Sequence, residues 1–154
     1  MTELKPILLV EDEPNDVEMT LLALEQVQLA NQVLSLRDGA EALDYLYCRG
    51  KYAGRPSGLP AVMLLDNKMP KVDGLSVLRQ IRSDEHLRML PVVMLTSSRM
   101  EQDVITSYQL GINAYVVKPV GRENFVQAIQ QLGLFWLLRN EPPPGTVRYN
   151  NRGR

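Results

Sequence analysis

Several short stretches of this chain are apolar without a break, among them Ile7–Val10 (ILLV), Ala61–Leu65 (AVMLL), Pro91–Leu95 (PVVML) and Ala114–Val117 (AYVV). Runs this short, with no polar alternation, read as strands covered on both faces, as in a parallel sheet. Gln32–Leu36 (QVLSL) alternates more and suits an edge strand. Between the runs, apolar residues recur at helical spacing: Val17, Leu21, Leu24 and Val27, then Ala42, Leu43, Leu46 and Tyr47. The same spacing returns in Leu75, Val77, Leu78 and Ile81, in Val104, Ile105, Tyr108 and Leu110, and in a last helix over Phe125–Leu138. Asn15 or Asp16 is placed to cap the first helix. Strand and helix alternating five times predict an α/β fold, a doubly wound five-stranded parallel sheet with helices on both faces.

Residues 48–60, rich in Gly, Pro, Arg and Lys, read as a loop inserted before the third strand. The expected division is one domain over 1–140 and, after it, an extended or mobile tail over 141–154 containing three consecutive prolines. With 154 residues, 45% hydrophobic and 23% charged, the chain suits a single globular domain. A formal net charge of -1 offers no bulk electrostatic reason to bind nucleic acid. No apolar run is long enough to span a bilayer and the first residues do not form a signal peptide, so the expected location is the cytoplasm. The single cysteine, Cys48, excludes an internal disulfide and a cysteine-based metal cluster.

A parallel sheet delivers the ends of its strands to one edge, where ligands bind. Here the first strand runs into Glu11 and Asp12, the third into Asp66, the fourth into Thr96 and the fifth into Lys118. Three carboxylates crowded together repel, which favours a bound divalent cation or raised pKa values. Oxygen ligands without His or Cys suit a hard ion such as Mg2+. An ammonium beside acids already held by a metal is useful when a further anion enters, and a phosphoryl group fits, with the Thr hydroxyl donating to it.

The stretches ILLVEDEPND, LLDNKMPKVDG, VVMLTSS and AYVVKP, in this order and at these separations, resemble the receiver domain of bacterial two-component response regulators over about residues 5–140. The resemblance implies the flavodoxin-like strand order 2-1-3-4-5 already known for that family. It further implies that Asp66 accepts a phosphoryl group from a sensor histidine kinase. Asp12 and Glu11 then bind Mg2+ with Asp66, and the backbone carbonyl of Lys68 completes the metal shell. Thr96 follows the phosphoryl group and Lys118 pairs with it. Tyr115 switches in concert with Thr96, and Lys118–Pro119 is a cis bond. The family reading also makes the chain a stand-alone regulator, catalysing only its own phosphorylation and dephosphorylation, and similar to receivers that partner phytochrome-type kinases.

Three rival functions fit less well. An aspartyl-phosphate phosphatase commonly carries a second acid two residues past the nucleophile, where this chain has Lys68. A flavin electron carrier would place a phosphate beside Glu11, Asp12 and Glu13, which would repel it. A phosphorylation-independent adaptor of the same fold has no need of the full acidic set. In the last helix, Phe125, Ile129, Leu132 and Trp136 supply a core stripe, and Leu134, Phe135, Leu137 and Leu138 are left over as candidates for a homodimer surface.

Overall fold

The strands β1 (Ile7–Val10), β2 (Val33–Leu36), β3 (Val62–Leu65), β4 (Val92–Thr96) and β5 (Ala114–Val117) form one parallel sheet in the order β2-β1-β3-β4-β5. This computed structural model describes residues 3–4, 6–119, 121–147 and 149–150. Between and after the strands run α1 (Pro14–Gln26), α2 (Gly39–Leu46), α3 (Gly74–Ser83), α4 (Glu101–Gln109) and α5 (Arg122–Leu134).

The two-residue period of a strand sorts the apolar runs into two layers. Leu8, Val10, Met63, Leu65, Val92 and Met94 face α2 and α3, joining Ala42, Leu46, Val77, Leu78 and Ile81 in one buried cluster. Ile7, Leu9, Val62, Leu64, Val93 and Leu95 face α1 and α5, joining Ala23, Leu24, Phe125 and Ile129 in another. A run buried on both sides must therefore be apolar at every position, which is why β1, β3 and β4 show no alternation. Leu34 and Ser35 of the edge strand β2 are exposed.

The helix ends differ from the sequence expectation in two places. Helix α1 is capped by Glu13, whose side chain accepts from the Asn15 N–H at 3.0 Å, with Pro14 in the first turn. Neither Asn15 nor Asp16 caps it, and the Asp16 carboxylate is thereby released for another partner. The last helix starts earlier, at Arg122, and widens after Leu134 into a π-turn over Phe135–Arg139, in which the Asn140 N–H donates to the Phe135 carbonyl at 2.8 Å. A wider turn advances each residue by a smaller angle. Leu137 is accordingly rolled into the core at 3% exposure, which removes it from the candidate homodimer surface; Leu134, Phe135 and Leu138 remain exposed.

The chain after α5 returns to the inserted loop. The Leu59 N–H donates to the Gly145 carbonyl at 3.0 Å, and the Val147 N–H donates to the Leu59 carbonyl at 2.7 Å. Glu3–Leu4 pairs antiparallel with Tyr149–Asn150. Residues 148 and 151–154 of the expected tail lie outside the described residues.

Helix α3 is set directly against the loop that leaves β3. Asp73 caps it by accepting from the Ser76 N–H at 2.8 Å, and the Gly74 N–H donates to the Asn67 carbonyl at 2.8 Å. A Cβ at Gly74 would run into the Asp66 carbonyl oxygen and meet the Asn67 Cα at 2.7 Å, so the helix or the Asp66 loop would have to move. Gly74→Ala should lower folding stability by about 1–3 kcal/mol, read as a shift of the urea midpoint.

Candidate functional site

Strand pairing brings the candidate residues together. Val10 lies opposite Leu65 and Thr96 opposite Val117, so the residues that follow emerge side by side. The ladder continues one step past the strands: the Asp66 N–H donates to the Val10 carbonyl at 3.0 Å, and the Lys118 N–H to the Thr96 carbonyl at 2.7 Å. Glu11 and Asp66 are buried, at 3% and 8% exposure, whereas Asp12 is exposed.

Glu11, Asp12 and Asp66 each offer a carboxylate oxygen, and these atoms lie within 4.8 Å of one another. Three hard oxygen donors at that spacing, with no His or Cys in the group, fit a divalent cation of the Mg2+ or Mn2+ kind. Glu11 uses both oxygens: Oε2 accepts from the Glu13 N–H at 3.1 Å and Oε1 from Lys118 Nζ at 2.7 Å. Asp66 Oδ1 accepts from the Asn67 N–H at 2.9 Å. Lys68, two residues on, is exposed and lines a cleft with Asp12, Asn67, Met69, Asp73, Met100 and Asp103.

Burial dominates the acids. It pushes the Glu11 carboxyl from the usual 4.5 up to about 7, against the Lys118 hydrogen bond and with the Asp66 charge. Burial also raises Asp66, opposed by the charge of Lys118 and by hydrogen bonds from Thr96 and the Asn67 amide. For Lys118, burial works against the charged form, but hydrogen bonds to Asp16 and Glu11 outweigh it and raise its pKa.

Lys118 is ion-paired with Glu11 and Asp16, each at 2.7 Å, and not, among the described residues, with Asp66. It does so without a cis peptide: no described bond is cis, so Lys118–Pro119 is trans, contrary to the sequence expectation. Trans is the intrinsically preferred isomer even before proline, and from it the ammonium already reaches two carboxylates. Tyr115 is half-buried against the α2–α3 cluster, and its hydroxyl donates to the Ser98 carbonyl at 3.0 Å. Ser98 Oγ donates in turn to Asp103 Oδ2 at 2.6 Å, tying the loop after β4 to α4.

Sequence reading missed Asp16, Ser98 and Asp103. Asp16 carried one signal: it lies four residues past Asp12, where a helix starting near Pro14 holds it close to the same edge. Ser98 and Asp103 had none, because their pairing depends on how the loop after β4 bends.

With this geometry, the response regulator receiver domain family matches residues 7–130, and the chain belongs to that family. Response regulator Rcp1 of Synechocystis sp. is 38% identical over 133 residues, which span 86% of this chain and 89% of Rcp1. Bacteriophytochrome response regulator AtBRR is 63% identical in a solved structure covering 91% of this chain and 100% of AtBRR, with a TM-score of 0.72. The phosphorylated cyanobacterial phytochrome response regulator RcpA is 37% identical, covers 90% of this chain and 98% of its own, and has a TM-score of 0.84. Rcp1 has also been solved in an Mn2+-bound form. Among the described residues, no helix is long and apolar enough to cross a membrane.

The raised Glu11 pKa has a direct consequence for metal-free protein. Folded Glu11 binds its proton more tightly than unfolded Glu11, so between pH 4.5 and about 7 the folded chain holds the extra proton and stability falls as pH rises. Glu11→Gln removes the buried charge. In urea melts with EDTA it should gain about 2 kcal/mol over the unsubstituted protein at pH 8 and little at pH 4.5.

Proposed function

We propose that this chain is a response regulator of the single-domain kind, taking a phosphoryl group onto Asp66 from the phosphohistidine of a sensor histidine kinase. It signals by phosphorylation-dependent protein contact or by passing the phosphoryl group onward, in the cytoplasm. One observation carries this reading: Asp66 is a buried carboxylate at a strand end, flanked by two further acids, with Thr96 and Lys118 at the ends of the next two strands of the sheet.

In the transfer, an Asp66 carboxylate oxygen forms the bond to phosphorus while the P–N bond of the phosphohistidine breaks, and the imidazole nitrogen keeps the electron pair. Thr96 donates a hydrogen bond to the phosphoryl oxygens and Lys118 balances their charge. Mg2+, held by Asp12, Glu11, Asp66 and the backbone carbonyl of Lys68, would neutralise the charge gathered on those oxygens. The chain's only catalysis is its own aspartyl phosphorylation and dephosphorylation. The switch is a population shift on the Thr96–Tyr115 face, where the Tyr115 hydroxyl already reaches the loop after β4.

A phytochrome-type kinase is the partner this reading favours. Its support is the naming of AtBRR and RcpA for phytochromes and the fact that each is matched over almost its whole length.

Incubation with Mg2+ and acetyl phosphate should add a single phosphoryl group by intact mass. The adduct should need Mg2+ and be missing from Asp66→Asn. A chain that takes no phosphoryl group from this donor or from a phosphorylated histidine kinase is not a phosphoacceptor.

The chain also forms a homodimer in this reading, through Leu134, Phe135 and Leu138, which are 37%, 50% and 56% exposed at the end of α5. Light scattering should report a dimer mass at micromolar concentration, shifted to the monomer by Phe135→Asp. A monomer mass for the unsubstituted protein would remove the dimer.

A further inference from the structure

One ion pair at the site has no part in the chemistry above. Asp16 Oδ2, in the first turn of α1, accepts from Lys118 Nζ at 2.7 Å, the same distance as Glu11 Oε1. Asp16 is free to do so because Glu13 caps the helix. The pair is largely withdrawn from water, with side chains 11% and 27% exposed for Lys118 and Asp16. Asp16 stands outside the three clustered acids Glu11, Asp12 and Asp66.

We propose that Asp16 is a positioning residue that holds Lys118 as a competing counter-ion, so that a phosphoryl group on Asp66 gains the ammonium at the expense of the Lys118–Asp16 pair. Resting on the phosphoacceptor reading, this assigns to Asp16 the control of how readily Asp66 is loaded.

Charge counting sets the direction. Among the described residues, four carboxylates, Glu11, Asp12, Asp16 and Asp66, share the edge with the largely buried ammonium of Lys118, while Lys68 is exposed. A divalent cation offsets two of the three clustered charges, and Lys118 stays shared between Glu11 and Asp16. A phosphoryl group brings further negative charge, close to two at neutral pH for a phosphate ester, into the same edge. Asp16 opposes it twice, by repulsion and by occupying one of the three N–H donors of the ammonium. Of the two carboxylates on Lys118, Asp16 is the one to let go. Glu11 has a side chain only 2% exposed, and stranding its charge there would cost more than returning Asp16, at 27%, to water.

The competition is also reciprocal. Whatever the Lys118–Asp16 pair contributes to the unphosphorylated state is subtracted from the phosphorylated one, and phosphorylation in turn loosens Asp16 at the start of α1.

The test compares initial rates of Mg2+-dependent adduct formation from acetyl phosphate, by intact mass, in the unsubstituted chain, Asp16→Asn, Asp16→Glu and Glu18→Gln. In this reaction Asp66 bonds to phosphorus as the P–O bond breaks and acetate leaves with the electron pair. Asp16→Asn, equal in size and uncharged, should load three- to tenfold faster, the order expected for one partly buried ion pair. Its adduct should decay no faster once the donor is removed. Asp16→Glu should restore the slow rate. Glu18→Gln, which removes an exposed charge from the same helix without touching Lys118, should load like the unsubstituted chain.

An unchanged or slower Asp16→Asn overturns the proposal and leaves the phosphoacceptor reading standing. An equal rise in Glu18→Gln overturns it too, in favour of general charge. No adduct in the unsubstituted chain overturns both readings together. Independently of metal and donor, a double-mutant cycle of Asp16→Asn with Lys118→Met in EDTA urea melts should show coupling, and strict additivity would remove the pair on which the proposal stands.

Discussion

The burial of negative charge at the carboxyl edge of the sheet is the constraint on which the rest of this structure depends. Glu11 and Asp66 are nearly out of water, and neither would tolerate that alone. The opposing charge comes from Lys118, which the fifth strand brings across the sheet to Glu11. That compensation is incomplete, since burial still pushes the Glu11 carboxyl up to about 7. The unpaired remainder is the property that suits the edge to a divalent cation. A site fully neutralised by its own side chains would have little use for one.

The scaffold exists to keep that edge rigid. Two apolar clusters clamp the sheet, and their alternation along β1, β3 and β4 leaves no freedom for a strand to slip by one residue, since every side chain would change layers. Register in turn places Glu11 beside Asp66 and Lys118 beside the residue after Thr96. Close contact between Gly74 and the Asp66 carbonyl holds the loop that leaves β3 from the other side. The stability of the core and the placement of the chemistry are therefore one property.

Around this rigid centre, polar links run outward along two routes. Tyr115, Ser98 and Asp103 join β5, the loop after β4 and α4, while Lys118 and Asp16 join β5 to α1. Both routes start within a residue or two of the strand ends that carry Thr96 and Lys118. On the proposed function, a charge change at Asp66 would bias the α4 side through hydrogen bonds and the α1 side through an ion pair.

Much of this was legible in the chain itself. Unbroken apolar runs specify strands buried on both faces, and helical spacing between them specifies the crossovers, so the parallel sheet and the identity of Glu11, Asp12, Asp66, Thr96 and Lys118 at its edge follow from local patterns. What the pattern could not contain are choices made by packing at longer range. Leu137 is as apolar as Leu138, and only the π-turn after Leu134 decides that one is buried and the other exposed. Asp16 is as good a capping residue as Glu13 on paper, but with Pro14 in the first turn the helix begins early enough for Glu13 to take the cap and Asp16 to meet Lys118. Sequence by itself determined which groups stand at the edge of the sheet, because periodicity is local; the tertiary structure alone decided which of them pair, because pairing across 102 residues depends on where the chain returns.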